Sequence, residues 1–128
     1  MEKLTKAEEE IMRIIWELEP CTVADIRSYI QKEMGGAKPP HSTISTLVSH
    51  LNRKGFLHYE AYGRTYVYSA AVSKSIYSKK SIKQLAKDFF DGSLQSMVSF
   101  LVKEESLSPE ELRALREQLD ESEKDSTS

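Results

Sequence analysis

Apolar residues recur at helical spacing in three segments of the first half of the chain. The three stripes comprise, in order, Ile11, Ile14, Ile15 and Leu18; Val23, Ile26 and Ile30; and Ile44, Leu47, Val48 and Leu51. Thr5 with Glu8, and Thr22 with Asp25, have the spacing of a capping box, so the first two helices are predicted to begin there. The third stripe predicts a helix over about residues 42–54.

A different pattern follows the third helix. Gly55 fits the left-handed position just beyond a helix end. Residues Phe56–Ser69 are rich in Tyr, Val and Thr, which predicts two strands joined by a short turn at Tyr62-Gly63-Arg64. Three helices and a hairpin in this order predict a winged helix-turn-helix head, whose third helix enters the major groove of DNA.

The remainder of the chain predicts a helical tail. Its stripes comprise Ile82, Leu85, Ala86 and Phe89; Leu94, Met97, Val98 and Leu101; and Leu112, Leu115 and Leu119. Ser108-Pro109-Glu110-Glu111 is a strong start signal for the last helix. We therefore predict a mostly α fold with a small β-hairpin. Residues 1–72 form the predicted winged-helix head, 73–120 a helical dimerisation domain and 121–128 a disordered tail.

Composition and the distribution of charge narrow the function classes. The 128 residues include 39% hydrophobic and 30% charged residues, a globular balance, and no apolar run is long enough to span a membrane. The chain shows no secretory signal, and its single cysteine, Cys21, cannot form an internal disulfide. We therefore expect a cytoplasmic protein without membrane insertion. The net charge of −2 does not by itself indicate a nucleic-acid ligand, but residues 38–69 hold four basic residues against one acidic residue.

The outer face of the predicted third helix carries small hydroxyl groups and an arginine, without acidic or bulky apolar side chains. Such a face can lie close to base edges and phosphates. The same residues also suit an ordinary solvated helix face. The basic end of the helix and the basic tip of the hairpin favour DNA binding over that alternative. The predicted DNA-binding residues are Ser42, Thr43, Ser45, Thr46, Ser49, Arg53, Lys54 and Arg64. We expect Arg53, Lys54 and Arg64 to contact mainly phosphates.

The hairpin tyrosines admit two interpretations. Tyr59, Tyr62, Tyr66 and Tyr68 could form a stacking platform for the bases of a single strand. Alternation along a strand places Tyr66 and Tyr68 on one face, which favours packing for most of them.

Cys21, His41, His50 and His58 raise the alternative of an enzyme or a metal site. Their surroundings match no catalytic motif, and their spacing matches no zinc site. We therefore predict no catalytic residue, no metal and no cofactor. Two further alternatives stay open: a winged helix that binds only proteins, and a ligand-sensing winged-helix regulator, which needs a pocket.

Several short segments, taken together in their order and spacing, form a pattern specific enough to compare with a known family. They are Leu4-Thr5-Lys6-Ala7-Glu8, Ile11-Met12 and Trp16; Ser42-Thr43-Ile44-Ser45-Thr46-Leu47, Leu51 and Lys54-Gly55; Gly63-Arg64-Thr65-Tyr66-Val67-Tyr68; and Phe90-Asp91-Gly92-Ser93. Together, over about residues 4–119, they resemble the penicillinase repressor family (BlaI/MecI type). The resemblance implies a homodimeric repressor that binds a dyad-symmetric double-stranded DNA operator.

The resemblance also implies that the operator is released after the tail is cleaved. In the family this cleavage is prompted by a membrane-embedded zinc metalloprotease receptor that senses β-lactam. In the family members that this chain resembles, the cut falls at an Asn-Phe bond of the tail helix. The matching position here is Ser99-Phe100. Some members carry a longer polar side chain where Ser45 stands, which bears on the operator sequence. A copper-responsive branch has paired tail cysteines, which this chain lacks.

An apolar arc in the tail predicts the dimer interface. Residues 94–102 place apolar side chains over roughly 200° of the helix surface, whereas a surface helix needs a stripe of about 100°. The extra arc is predicted to pack against a second copy of the chain, and in the alternative it packs between head and tail of a monomer. The predicted dimerisation residues are Leu94, Met97, Val98, Leu101, Leu112, Leu115 and Leu119.

Overall fold

The fold is a winged helix-turn-helix head followed by three helices. A computed structural model describes residues 2–104 and 108–127, with side chains described as far as residue 118. Its elements are α1 (Lys6–Leu18), α2 (Val23–Met34), α3 (His41–Arg53), β1 (Leu57–Tyr62), β2 (Thr65–Ala70), α4 (Lys74–Phe89), α5 (Leu94–Lys103) and α6 (Pro109–Thr127). This architecture confirms the predicted mostly α fold class with a small β-hairpin.

The chain divides by its internal contacts into two compact units, residues 1–74 and 75–128. The backbone of α6 continues to Thr127, beyond residue 120, where the sequence pattern ends the helical tail. Glu and Lys favour a helix in this segment, and it contains no Pro or Gly that would stop one. The predicted dimerisation residue Leu119 has a side chain outside the described residues.

Side chains cap the first two helices as predicted. In α1 the Glu8 N–H donates to Thr5 Oγ1 at 3.2 Å, and the Thr5 N–H donates to Glu8 Oε1 at 2.8 Å. The same reciprocal pair joins Thr22 and Asp25 in α2, at 3.1 and 2.9 Å. Helix α3 differs, because it begins at His41, just before the predicted start, and no described side chain caps it.

The head is built around side chains from all three of its helices and from the start of the hairpin. The buried core residues include Leu4, Ile11, Met12, Ile15, Ile26, Ile44, Val48, Leu51, Phe56 and Leu57. Helix α1 contacts both α2 and α3, and α2 contacts α3. Each large apolar side chain buried in this way contributes about 1.5–3 kcal/mol relative to exposure. The packing leaves the opposite face of α3 open to solvent.

Glu8 links the start of α1 to the end of α3. Its side chain is buried, and Oε1 also accepts a hydrogen bond from Lys54 Nζ at 2.7 Å. Lys54 donates a second hydrogen bond to the Lys3 carbonyl at 3.1 Å, and His50 Nδ1 lies 3.8 Å from Glu8 Oε2. The hydrogen bond from Lys54, followed by that from the Thr5 backbone, lowers the pKa of Glu8 below its ordinary value of 4.5. The last turn of α3 is therefore held against the first turn of α1.

Backbone and side-chain hydrogen bonds hold the hairpin against the helices. Strands β1 and β2 pair antiparallel along their whole length. Cys21, in the link between α1 and α2, exchanges two backbone hydrogen bonds with Tyr68, at 3.0 and 2.7 Å. Trp16 Nε1 donates to the Val72 carbonyl at 2.9 Å, just beyond β2. The base of the hairpin is thus tied to α1 and to the α1–α2 link.

We expect Glu8→Gln to destabilise the head. Glutamine can keep the capping bond to Thr5, but it leaves the Lys54 ammonium, 14% exposed, without its counter-charge. Removing one partner of a buried ion pair costs about 3–5 kcal/mol, and the partial exposure of Lys54 favours the lower end. Because the pKa of Glu8 is lower in the folded state, its stabilisation is present above about pH 4.5 and is lost as the pH falls through the folded pKa.

Urea unfolding of the parent and of Glu8→Gln, at about pH 7 and about pH 3, measures this effect. The difference in unfolding free energy between the two proteins should shrink at the lower pH. Glu10→Gln, at an exposed position of the same helix turn, is the matched control and should change stability by less than about 0.5 kcal/mol. A Glu8→Gln difference that is the same at both pH values contradicts the assignment.

Candidate nucleic-acid interface

The face of α3 that points away from the core is a line of small polar side chains. This exposed stripe consists of Ser42, Thr46, Ser49 and Arg53. Successive members are three or four residues apart, so they are neighbours along one side of the helix. Thr43 is exposed beside the stripe, whereas Ser45 is half-buried. Helix α3 contains no acidic residue, so nothing on it repels a polyanion.

One residue of the exposed stripe is oriented by the helix itself. Thr46 Oγ1 donates a hydrogen bond to the carbonyl of Ser42 at 2.8 Å. A threonine hydroxyl has one proton, so the oxygen can then act only as an acceptor. The other serine and threonine hydroxyls of the stripe and its flank make no such bond among the described residues.

The three predicted phosphate contacts fall into two groups. Arg53 and Arg64 are exposed, and no ion pair or hydrogen bond of their side chains occurs among the described residues. Lys54, in contrast, is mostly buried and bonded to Glu8 and to the Lys3 carbonyl. Its charge is therefore already compensated. The sequence does not reveal this bond, because Glu8 lies 46 residues away and its pattern indicates only a capping residue.

A contact that sequence patterns do not reveal positions the segment before α3. Arg27 Nε donates to the carbonyl of Pro39 at 2.8 Å, so α2 holds the end of the connection that leads into the third helix. Lys38 is exposed next to this anchored residue. The start of α3 is thereby fixed from α2, and its end is fixed from α1 by Glu8.

The hairpin tip presents Arg64 on a tight turn. Gly63 has a φ of +64°, which agrees with the first central position of a type II′ turn and which a side chain would strain. Tyr62 Oη donates to Glu60 Oε2 at 2.6 Å, and this bond raises the pKa of Tyr62. Glu60 is the one acidic residue of the hairpin sequence, so the acid nearest the turn is engaged by a neighbour.

The remaining hairpin tyrosines form a cluster. Tyr59 lies opposite Tyr68 in the strand register, and the ring centroids of Tyr59 and Tyr66 are 5.2 Å apart. Tyr68 lies 6.1 Å from Tyr59 and 6.5 Å from Tyr66. Burial, then the neighbouring Tyr66 and Tyr59, raises the pKa of Tyr68. Tilted and edge-on aromatic pairs contribute about 0.5–1.5 kcal/mol each, which favours packing as the role of these three rings.

The residues that could suggest an enzyme do not form a site. Cys21 is buried, and this burial, followed by the charges of Asp25 and Glu19, raises its pKa to about 11. A thiol in such surroundings is a poor nucleophile. His50 lies beside Glu8 instead of near the cysteine. Among the described residues no group of three or more His, Cys, Asp or Glu side chains could hold a metal ion.

An open groove lies along α2 and the end of α1. Its volume is about 280 Å³, and it is lined by Leu18, Cys21, Asp25, Ser28, Tyr29 and Lys32. Small-molecule sites have volumes of about 300–1,000 Å³ and bury most of their ligand. Asp25 is also engaged in the cap of α2. The groove therefore adds no support for a ligand-sensing regulator.

In the tail, α5 and α6 bury only part of the predicted dimerisation residues. Met97 is buried within its own chain. The half-buried members are Leu94, Val98, Leu101, Leu112 and Leu115. Phe100, next to Leu101 on α5, is 50% exposed, although its ring lies 5.6 Å from that of Phe90. The tail thus leaves a substantial apolar surface on α5.

Helix α4 adds exposed apolar residues that the predicted dimerisation set omits. Ile82, Leu85 and Phe89 lie on one side of α4 at helical spacing, and Phe89 is 74% exposed. Their stripe is visible in the sequence, but the pattern does not show whether these side chains are exposed, as they are among the described residues. None of the described helices combines the length and the apolar character that a membrane span requires.

Comparison with known proteins places the sequence of this chain in a family. A family model described as "Penicillinase repressor" matches residues 4–121. The penicillinase repressor of Bacillus licheniformis is 28% identical over 119 residues, covering 93% of this chain and 91% of that protein. The methicillin resistance regulatory protein MecI of Staphylococcus aureus (strain N315) is 29% identical over 114 residues, covering 89% and 90%. The solution structure of the DNA-binding domain of the repressor BlaI matches with a TM-score of 0.49 and 28% identity, covering 60% of this chain and 94% of that one.

We expect the Cys21 thiol to resist modification in the folded protein. Its burial and its raised pKa leave almost no accessible thiolate near pH 8. A colourimetric disulfide reagent should therefore react at the rate of global unfolding in buffer and immediately in denaturant. Free cysteine in the same buffer is the control for the reagent. Rapid reaction of the native protein would contradict the buried position.

Proposed function

Because the chain belongs to the penicillinase repressor family, we propose that it is a transcriptional repressor that binds a palindromic DNA operator as a homodimer. The exposed stripe of α3 carries this proposal, since it joins hydroxyl groups to Arg53 on the helix that a winged helix-turn-helix inserts into the major groove. The family is one of repressors and not of enzymes, which confirms the prediction that the chain has no catalytic function.

The proposed contacts divide into readers of bases and binders of phosphate. On the exposed stripe, the small side chains let the helix lie close to the base edges, where hydroxyl and methyl groups can touch them. The proposed base-reading residues are Ser42, Thr46 and Ser49, with Thr43 and Ser45 at the flanks. Arg53 and Arg64 are the proposed phosphate contacts, because both are exposed and neither has an ion-pair partner among the described residues. Lys54 is left out of the proposed set because it is engaged with Glu8.

A protein partner for this face of α3 is a weaker proposal. Protein interfaces depend on a few aromatic, large apolar or arginine anchors that fill pockets of the partner. The exposed stripe offers Arg53 but no aromatic or large apolar side chain. A hydroxyl-lined helix face suits the base edges and phosphates of double-stranded DNA better.

The tail supports a homodimer in this proposal. The exposed side of α4 carries Ile82, Leu85 and Phe89, and α5 carries the half-exposed Phe100. Exposed apolar patches on a protein surface commonly mark an interaction site. A second copy of the same tail would cover these side chains through an isologous interface. Two linked heads then bind half-sites about one helical turn apart, or about 34–36 Å from centre to centre.

The proposal also includes release of the operator after proteolytic cleavage of the tail. Ser99 and Phe100 are exposed on α5, and a cut between them would separate α6 from α4 and divide the apolar surface of the tail. A protease needs an extended segment, so α5 has to open locally before it is cut. The proposed partner is a membrane metalloprotease receptor, as the resemblance implies, and serine in place of asparagine would require that its specificity differ.

We expect Arg53→Ala and Arg64→Ala to weaken binding to operator and unrelated DNA by similar factors. Each change removes one phosphate contact, so the slope of log affinity against log salt should fall by about one unit. Fluorescence anisotropy titrations at several salt concentrations measure both quantities. Lys54→Met is the informative control: it should lower stability, since Glu8 loses its partner, but leave the salt slope unchanged. If both arginine variants keep the salt slope of the parent, neither arginine contacts a phosphate in the interface.

We expect Phe89→Asp to shift the protein from dimer to monomer. Phe89 is largely exposed in the single chain, so an aspartate at this position stays in water in the monomer. The dimer would bury the charge, which is costly. Sedimentation at micromolar concentration, together with operator binding, measures the change. Gln84→Glu adds the same charge at an exposed position roughly 140° from Phe89 around α4 and should leave the dimer intact. Phe100→Asp, at a half-exposed position, tests α5 in the same way. A monomeric parent, or a Phe89→Asp variant that stays dimeric and bound to DNA, overturns the dimer.

A further inference from the structure

We propose that Thr46 reads the C5-methyl group of a thymine in each operator half-site, and that it does so with its own methyl group. The inference rests on the proposed function and names the base that one side chain selects. It starts from the bond between Thr46 Oγ1 and the Ser42 carbonyl, which determines what this side chain offers to the major groove.

The hydroxyl of Thr46 cannot donate to a base edge while it keeps its bond within α3. It donates its single proton to the Ser42 carbonyl at 2.8 Å, a good hydrogen-bond distance for two oxygen atoms. What remains is an acceptor, which can meet the amino groups of adenine and cytosine but not the purine N7, guanine O6 and thymine O4 atoms, since these are acceptors too. Turning the hydroxyl toward one of these acceptors would break the bond within α3, and this loss opposes the contact.

The methyl group of Thr46 is the apolar group of the exposed stripe. The two neighbours along the stripe, Ser42 and Ser49, carry no methyl group, and Arg53 ends in a charge. Threonine is branched at Cβ, so the bond that holds Oγ1 against the helix also fixes the direction of the methyl group. Small neighbours leave this methyl group uncovered, and a helix lined by serine can approach the bases closely.

Thymine is the base that matches such a surface. Its C5-methyl group is the one apolar feature that the four bases present in the major groove. Contact between two methyl groups removes both from water, and burying one such group is worth about 0.8 kcal/mol, or close to a fourfold change in affinity. A dimer makes the contact twice, so the two half-sites together should give roughly a tenfold to twentyfold preference.

Replacement of thymine by uracil tests the proposal without changing any hydrogen-bonding group. In the footprinted operator, each symmetric pair of thymines is replaced by uracil in turn, and affinity is measured by anisotropy for the parent and for three variants. For the parent we expect one pair whose replacement weakens binding by roughly tenfold to twentyfold. Thr46→Val keeps the methyl group and should keep this preference within about twofold.

The two other variants separate the methyl group from the hydroxyl. Thr46→Ser keeps the hydroxyl but removes the methyl group, so it should bind thymine and uracil operators equally. Thr65→Ser removes the same group from an exposed hairpin position outside the proposed DNA-binding set, and it should retain the preference of the parent. A parent that binds its operator specifically but shows no uracil effect overturns this inference alone, as does a Thr46→Ser variant that still prefers thymine. A parent without specific DNA binding overturns the proposed function, and the inference falls with it.

Discussion

A single buried carboxylate holds the end of the third helix in place. Glu8 Oε1 accepts hydrogen bonds from the Thr5 backbone and from Lys54 Nζ, so the first turn of α1 and the last turn of α3 share one oxygen atom. Hydrophobic contacts in the core are not directional and would tolerate some rotation of α3. A charge-assisted hydrogen bond of 2.7 Å has a strict geometry and restricts that rotation. The outward direction of the exposed stripe depends on this restriction.

Local patterns are sufficient to predict the elements of this chain. Both capping boxes join residues three positions apart, and the stripes that define the helices have the same short range. Gly55 and Gly63 occupy the left-handed positions that their places in the sequence suggest. Each of these features is encoded within a few residues, so the fold class follows from the sequence.

The roles of individual charged residues depend on distant partners and are less accessible from the sequence. Arg53 and Lys54 are adjacent and look equivalent in the sequence, yet one is exposed and the other is bonded to a residue 46 positions away. Arg27 looks like an ordinary exposed residue of a helix, but it anchors the connection before α3. The apolar stripe of α4 shows the same limit, since periodicity reveals the stripe and not whether the chain covers it. Packing between distant segments decides all three cases.

The long-range hydrogen bonds of the head have a consequence for how it folds. Lys54 reaches back 46 residues to Glu8, and Trp16 reaches forward 56 residues to Val72. These two contacts overlap along the chain and together enclose almost the whole head, and neither forms until its long loop has closed. Neither the three-helix segment nor the hairpin possesses all its contacts alone. The final position of α3 therefore depends on the head as a cooperative folding unit. In a nascent chain, the hairpin can be tied to α1 only after the residues that follow β2 have been synthesised.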